Sequence, residues 1–498
     1  MNKAISKNFT TIIGLEVHTQ LLTRSKMFCR CAAAYADAPP NTDVCPVCLG
    51  MPGVLPTINE QAIEYTVMTA LALNCTVSDY TKFDRKNYPY PDLVKGYQIS
   101  QYDAPVGKGG WLDIEVDGER KKIGITRVHL EEDVGKLLHR TAAGGEAYSL
   151  VDFNRSGVPL MEIVGEPDLR SAEEARQYLI ALRSILRYIG VSTANMEEGS
   201  FRCDANISIR PEDSSELMAK TEVKNMNSFK AVYQALEYEA KRQRKMAAEG
   251  KRLVQETRGW LEEQAKTVSQ RSKEYAHDYR YFPEPDLPPL VSDKKWVEEI
   301  RSKLPELPEA RRDRFLADYG LPLYDANLLT GSRAMADYFE DCLKTKEYRQ
   351  LPPDRGAKEI SNWLLGETSR IMNANNIDIA EFRAKVGPER LTGLSASVFS
   401  SQNAINTSTA KTVLEEMFKT GQDADAIITG QGLSQISDNK TVDAEVITVI
   451  NSNEKAVADY RAGKEQALKF LVGQVMKTTR GRVNPQMASE LLTKKLEE

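Results

Sequence analysis

Residues 201–210 read Phe-Arg-Cys-Asp-Ala-Asn-Ile-Ser-Ile-Arg. Apolar Phe201, Cys203, Ala205, Ile207 and Ile209 alternate with polar Arg202, Asp204, Asn206, Ser208 and Arg210, the period of a β-strand with one buried face and one face free for chemistry. Upstream, Ser171 and Glu174 form a capping-box pattern, Ala175, Tyr178, Leu179, Leu182, Ile185, Leu186 and Ile189 recur at helical spacing, and Gly190 is the stop. Downstream, a second helix is predicted from Ser228 toward Glu249, with Phe229, Val232, Leu236 and Ala240 as its apolar stripe and Gly250 as its end. Strands with such segregated helices predict an α+β domain built on a mixed or antiparallel sheet.

The stretch Phe282-Pro-Glu-Pro-Asp-Leu-Pro-Pro289 closes this cradle-like region, and beyond it the apolar pattern turns helical from Trp296 to about Thr407. A segment rich in Asn, Ser and Thr, Ser400 to Thr409, reads as a linker to a small helical tail domain. The predicted divisions are 1–293, 294–407 and 408–498, and a length of 498 residues agrees with about three domains. Apolar residues at 41% and charged residues at 28% exclude disorder, collagen and membrane residence. No export signal or membrane-length apolar run is read, which predicts a cytoplasmic protein. Lys and Arg number 66 against 71 Asp and Glu, a net charge of −5, so any nucleic acid must be gripped by a local patch.

Four of the seven cysteines cluster as Cys29-x-Cys31 and Cys45-Pro-Val-Cys48. Two tight pairs of thiolates can close a tetrahedral shell around Zn²⁺, and a closed shell is structural because it leaves no position for substrate. The alternative is two buried or redox-active thiol pairs. Cys75, Cys203 and Cys342 read as core residues.

In Gly14-Leu-Glu-Val-His18, Glu16 and His18 project from one face of a predicted strand. They suit a hard divalent cation if further oxygen ligands arrive, and Glu131, Glu132, Glu162, Glu197, Glu198 and Asp204 are the candidates. Cations interleave with them: Arg85, Lys86, Arg127, Lys136, Arg155, Arg202, Lys220 and Lys224. Mg²⁺ ligands beside such cations are the equipment of phosphoryl transfer, with Lys86, Arg155 and Arg202 as candidates to hold the phosphates of ATP. The same residues would also make an ordinary salt-bridge network. No Walker A, Gly-rich kinase loop, G-x-G-x-x-G or G-x-S-x-G string occurs, and no cysteine resembles a glutaminase nucleophile. Between Lys455 and Arg482 seven cations face two acids, a patch suited to phosphate contacts, above all at Thr478-Thr-Arg-Gly-Arg-Val-Asn484.

Taken together, Ile13-Gly-Leu-Glu-Val-His18, Met51-Pro-Gly-Val-Leu-Pro56, Phe83-Asp-Arg-Lys-Asn-Tyr88, Tyr97-Gln-Ile-Ser-Gln101, Arg127-Val-His-Leu-Glu-Glu-Asp133, Met196-Glu-Glu-Gly-Ser200, Arg202-Cys-Asp-Ala-Asn206, Asp278-Tyr-Arg-Tyr-Phe-Pro-Glu-Pro-Asp286 and Phe470-Leu-Val-Gly-Gln-Val-Met476 resemble the B subunits of aspartyl/glutamyl-tRNA amidotransferases, from residue 11 to the end. The resemblance implies a heterotrimer whose partners are an amidase, the A subunit, together with a small C subunit. It implies ATP- and Mg²⁺-dependent activation of the side-chain carboxylate of Glu on tRNA-Gln, or of Asp on tRNA-Asn, followed by amidation with ammonia from the amidase. It also implies a cradle domain, a helical domain and a tRNA-binding tail. The implied Mg²⁺ ligands are Glu16, His18, Glu132 and Glu162, with Asp204 essential and Lys86 in the pocket; Cys29, Cys31, Cys45 and Cys48 hold a structural Zn²⁺ that some members lack. One tension is internal to the sequence: strict alternation sets Glu131, not Glu132, on the face of Arg127 and His129, so Glu132 needs a bulge or a strand end. The rival readings are a zinc-stabilised RNA-binding protein without catalysis and a metal-dependent ligase acting on a free amino acid.

Overall fold

The alternation at 201–210 is realised in the strand Phe201–Pro211, with Phe201, Cys203, Ala205, Ile207 and Ile209 buried and Arg202, Asp204 and Asn206 on the open side. The computed structural model describes residues 9–142, 144–270, 276–399, 405–433, 439–462, 464–479, 483 and 485–497. Two units, Met1–Leu307 and Pro308–Glu498, divide the chain.

The first unit is organised by a nine-stranded sheet in the order Lys266–Ser269, Glu256–Leu261, Thr221–Lys224, Phe201–Pro211, Phe9–Gln20, Pro159–Gly165, Glu119–Glu132, Gly107–Val116, Thr76–Val77. Every neighbouring pair is antiparallel except Thr221–Lys224 with Glu256–Leu261, which is parallel. The predicted helices appear as Ala172–Tyr188, capped by Ser171, and Phe229–Ala248, capped by Ser228. Their stripes, Ala175, Tyr178, Leu179, Leu182 and Leu186 on one and Val232, Leu236 and Ala240 on the other, share a core with Ile13, Leu15, Val17, Val128, Ile163, Cys203 and Ile207. One face of the sheet is thereby filled by helices, and period-two alternation turns Glu16, His18, Arg202 and Asp204 to the other. A third helix, Glu60–Ala72, joins the same core, and Gly107 permits its close approach: a Cβ there would lie 2.7 Å from that of Ala70.

The helix Lys294–Ser302 belongs to this unit and not to the helical region that the sequence suggests. Its Ile300 is fully buried, and Trp296 and Val297 pack on the core that contains Ala62, Ile63 and Val67, so the first division falls after Leu307 instead of 293. In the second unit one core runs from Phe315 to Ile428 and includes Val413, Leu414 and Met417 of the helix Thr407–Thr420. That helix, capped by Asn406, therefore packs with the residues before it; residues 400–404 of the predicted linker lie outside the described residues. A separate core holds Val442, Val446, Val449, Leu471, Val475, Val483, Ala488, Leu492 and Leu496. The fold is α+β, a mixed-sheet domain followed by helices. Among the described residues no helix is long and apolar enough to cross a membrane.

Candidate active site

Register across four neighbouring strands makes the site. Arg202 pairs with His18, His18 with Glu162, and Glu162 with His129, one row of four side chains on the open face. Two residues along, Asp204 pairs with Glu16. His18 Nε2 lies 3.4 Å from Glu131 Oε1 and 3.6 Å from Glu162 Oε2, and His129 Nε2 is 3.2 Å from the same Glu162 oxygen. Burial pushes the Glu162 carboxyl up, but His129 and His18, with Lys86 beyond them, reverse this and hold it well below the usual carboxylate range. Ligand atoms of His18, Glu131 and Glu162 lie within 4.8 Å of one another. An octahedral Mg²⁺ shell with bonds of about 2.1 Å spaces its ligands roughly 3–4 Å apart, so a small inward movement of these oxygen and nitrogen donors would close on such an ion. Glu16 Oε1 accepts a hydrogen bond from Asn206 Nδ2 at 2.8 Å, one rung away from the cluster.

Cations ring the carboxylates. Lys224 Nζ donates to Asp204 Oδ2 at 2.6 Å and lies 3.6 Å from Glu222 Oε1; burial opposes its charge, and Asp204, Glu222 and Glu16 outweigh burial and raise its pKa. Lys86 stands on the strand Asp84–Asn87, its Nζ 5.0 Å from the ring centre of Tyr279 and 5.8 Å from that of Tyr88. Burial works against that ammonium as well, and Glu131, two tyrosines and Glu162 together keep it protonated. Arg202 Nη2 donates to Asp133 Oδ2 at 2.8 Å, and Gln20 Nε2 donates to the same oxygen at 2.7 Å. Arg155 donates to the carbonyls of Val134 and Gly135 at 2.9 and 2.7 Å, so its guanidinium is committed to bracing that loop. Burial would raise Asp133, but Arg202 and Arg155 hold it below the usual range.

The other candidates are dispersed. Arg85 is paired with Glu284 and Asp286, while Lys136, Glu197, Glu198 and Lys220 are exposed. In the tail Lys455, Arg461, Lys469 and Lys477 are exposed on helices and Lys464 is exposed just before one, and Arg480, Gly481, Arg482 and Asn484 of the predicted basic turn lie outside the described residues. In the segment that follows the first strand, the sulfurs of Cys29, Cys31, Cys45 and Cys48 lie within 4.8 Å of one another. A tetrahedral Zn–S shell with bonds of about 2.3 Å sets sulfurs about 3.8 Å apart, so the four can hold a metal. Hydrogen bonding from Cys29 lowers the Cys48 thiol to about 5, against the effect of burial and with help from Lys26. Cys75, Cys203 and Cys342 are buried, as expected of core residues.

Comparison with known proteins gives this arrangement its family. A family model described as the GatB/GatE catalytic domain matches residues 11–298, and one described as the GatB domain matches 337–496. The B subunit of the aspartyl/glutamyl-tRNA(Asn/Gln) amidotransferase of Dehalococcoides mccartyi (strain CBDB1) is 62% identical over 98% of this chain and 99% of its own. Proteins of the same name from Thermomicrobium roseum and Carboxydothermus hydrogenoformans are 55% and 53% identical over the same shares. The chain belongs to the family of amidotransferase B subunits.

Within this family, one residue stands elsewhere than the resemblance implied. Glu132 does not face His18: it is ion-paired with Lys95, accepts from Ile99 N at 3.0 Å, and lines a cavity of about 230 Å³ with Cys29, Cys48 and Met51. Glu131 occupies the position by His18 because the strand stays regular from Val128 to Glu132, its register shift falling instead opposite Val164 and Gly165. Period-two alternation at 127–132 already carried that signal. His129, Asn206 and Asp133, which reasoning from sequence left without a role, needed the register of neighbouring strands to be found.

Proposed function

We propose that this chain activates the side-chain carboxylate of Glu on tRNA-Gln, or of Asp on tRNA-Asn, by phosphorylation from ATP, and then amidates it with ammonia supplied by an amidase partner, the A subunit, which a small C subunit would brace. The observation that carries this reading is the single row of Arg202, His18, Glu162 and His129, with Glu131, Glu16 and Asp204 beside it. A carboxylate resists ammonia because oxide would have to leave, whereas phosphate is a competent leaving group. Glu16, His18, Glu131 and Glu162 would hold Mg²⁺, which when bound supplies charge neutralisation between phosphates and carboxylate. Lys86 and Arg202 receive phosphate oxygens, their charge kept by the carboxylates around them. Arg155 acts through Asp133 and the 133–135 backbone that it braces. Asp204, fixed by Lys224, orients the attacking group and takes its proton. Cys29, Cys31, Cys45 and Cys48 hold a structural Zn²⁺, and the exposed cations of the tail meet the tRNA backbone in the cytoplasm.

Asp204→Asn tests the assignment. Amide formation should fall by at least about 100-fold with tRNA affinity nearly intact, read by product analysis and filter binding on the same preparation. Loss of tRNA binding with normal chemistry on what remains bound would reject a chemical role.

A further inference from the structure

One group beside the site has no part in the chemistry above: a stack of tyrosines whose outer member is half exposed. Tyr102 and Tyr281 lie face to face, ring centres 4.3 Å apart and planes 11° from parallel, and Tyr102 remains 48% exposed. Tyr281 meets Tyr279 edge-on at 6.0 Å, and Tyr279 carries the ammonium of Lys86 over its ring at 5.0 Å. A continuous path of rings thus leads from solvent to the lysine beside the carboxylates. The backbone of this path is held in a strained form. Arg280, between the two tyrosines, has a left-handed φ of 46°, costly for a residue with a Cβ. Asn87 Nδ2, from the strand that bears Lys86, clamps that turn through the carbonyls of Arg280 and Tyr279 at 2.9 and 3.2 Å. Tyr102 is anchored from the other side, its backbone N–H donating to Asp84 Oδ2 at 3.1 Å.

We infer that the Tyr102–Tyr281 stack is a platform for an adenine base, extending the phosphate contact at Lys86 to the nucleoside that carries the phosphates or the ester. The inference rests on the phosphoryl-transfer reading of the site. Complementarity supports it: an exposed aromatic face stacks on a base of any sequence, and the cation at the inner end of the path suits the anionic remainder of a nucleotide. Adenine has two sources in this reaction, ATP and the terminal adenosine of the charged tRNA, and the test separates them.

The probes are ATP, inorganic tripolyphosphate, and tRNA ending in CCA or trimmed to CC, measured on the full chain in complex with its partner subunits. Tyr102→Ala should weaken either ATP binding or the preference for CCA over CC ends by about 10-fold, while Tyr102→Phe, which keeps the ring face, should stay within about 2-fold. Tripolyphosphate affinity should not move in either variant, which a merely structural effect on Lys86 would not allow. Loss confined to ATP assigns the platform to the nucleotide, and loss confined to the CCA preference assigns it to the tRNA end. Unchanged binding of both, or an equal loss of tripolyphosphate, overturns the inference. Failure here with Asp204→Asn still abolishing amidation leaves the phosphoryl-transfer reading standing.

Discussion

At the scale of the residue, two adjacent carboxylates have opposite destinies. Glu131 joins His18 and Glu162, whereas Glu132 turns to Lys95 and Ile99 N, and both are buried. A buried carboxylate needs a partner, and the two find theirs on opposite faces of one strand. Glu131→Gln should therefore raise the Mg²⁺ concentration needed for half-maximal phosphate release by about 10-fold or more, and Glu132→Gln should leave that requirement unchanged while lowering stability through the stranded ammonium of Lys95. A metal titration of both variants checks this, and the reverse pattern would restore Glu132 as the ligand. Part of this was legible: Glu16 and His18 share one face of their strand, and the four cysteines cluster as their spacing suggested, whereas Glu162 meets His18 through the pairing of two strands. What alternation in one strand could not supply is the register of the next, which brings His129 to Glu162 and Asn206 to Glu16.

At the scale of the element, strands and caps follow from local sequence, and close approaches do not. Ser171 and Ser228 cap the helices that their spacing announced. The helix Lys294–Ser302 looked like the start of a helical domain because nothing in its own pattern says which core receives Trp296, Val297 and Ile300. Gly110 is a comparable case: a Cβ there would strike the carbonyl oxygen of Leu73 and the sulfur of Cys75, so the turn after the helix Glu60–Ala72 depends on its absence. Gly110→Ala should destabilise the first unit by about 2 kcal/mol, seen as a lower denaturation midpoint with an unchanged slope. In the second unit, Glu340 accepts from Arg314 at 2.7 Å and from Arg311 Nε at 3.0 Å. Burial alone would raise it, yet these guanidinium groups lower it to about 2. Because the folded value lies below the unfolded one, the pair contributes fully above about pH 4.5 and its contribution is lost as pH falls toward 2. Glu340→Gln should remove on the order of 2 kcal/mol at about pH 7 and flatten the acid limb of the stability profile, measured by urea melts from about pH 2 to about pH 7; an unaltered limb would contradict this origin.

At the scale of the whole molecule, a chain of net charge −5 keeps its positive surface local, and its three cores divide the labour. The sheet core carries the row of acids and imidazoles, and the helical cores bury no such row among the described residues. The α+β class was readable from periodicity, and three cores stand among the described residues. Their limits were not readable, because a core is defined by which faces meet and not by where composition changes: the last core gathers residues from Val442 onward, well past the Asn, Ser and Thr-rich stretch that looked like a hinge. If the acidic and basic row activates a carboxylate on charged tRNA, the most direct measurement is phosphate release from ATP by the chain co-purified with its amidase partner, in the presence of Glu-tRNA-Gln, Asp-tRNA-Asn or uncharged tRNA. Stimulation by a misacylated tRNA alone, abolished by His18→Ala, is the predicted result; indifference to all three in a complex that still binds tRNA would contradict it and leave a binding protein without catalysis.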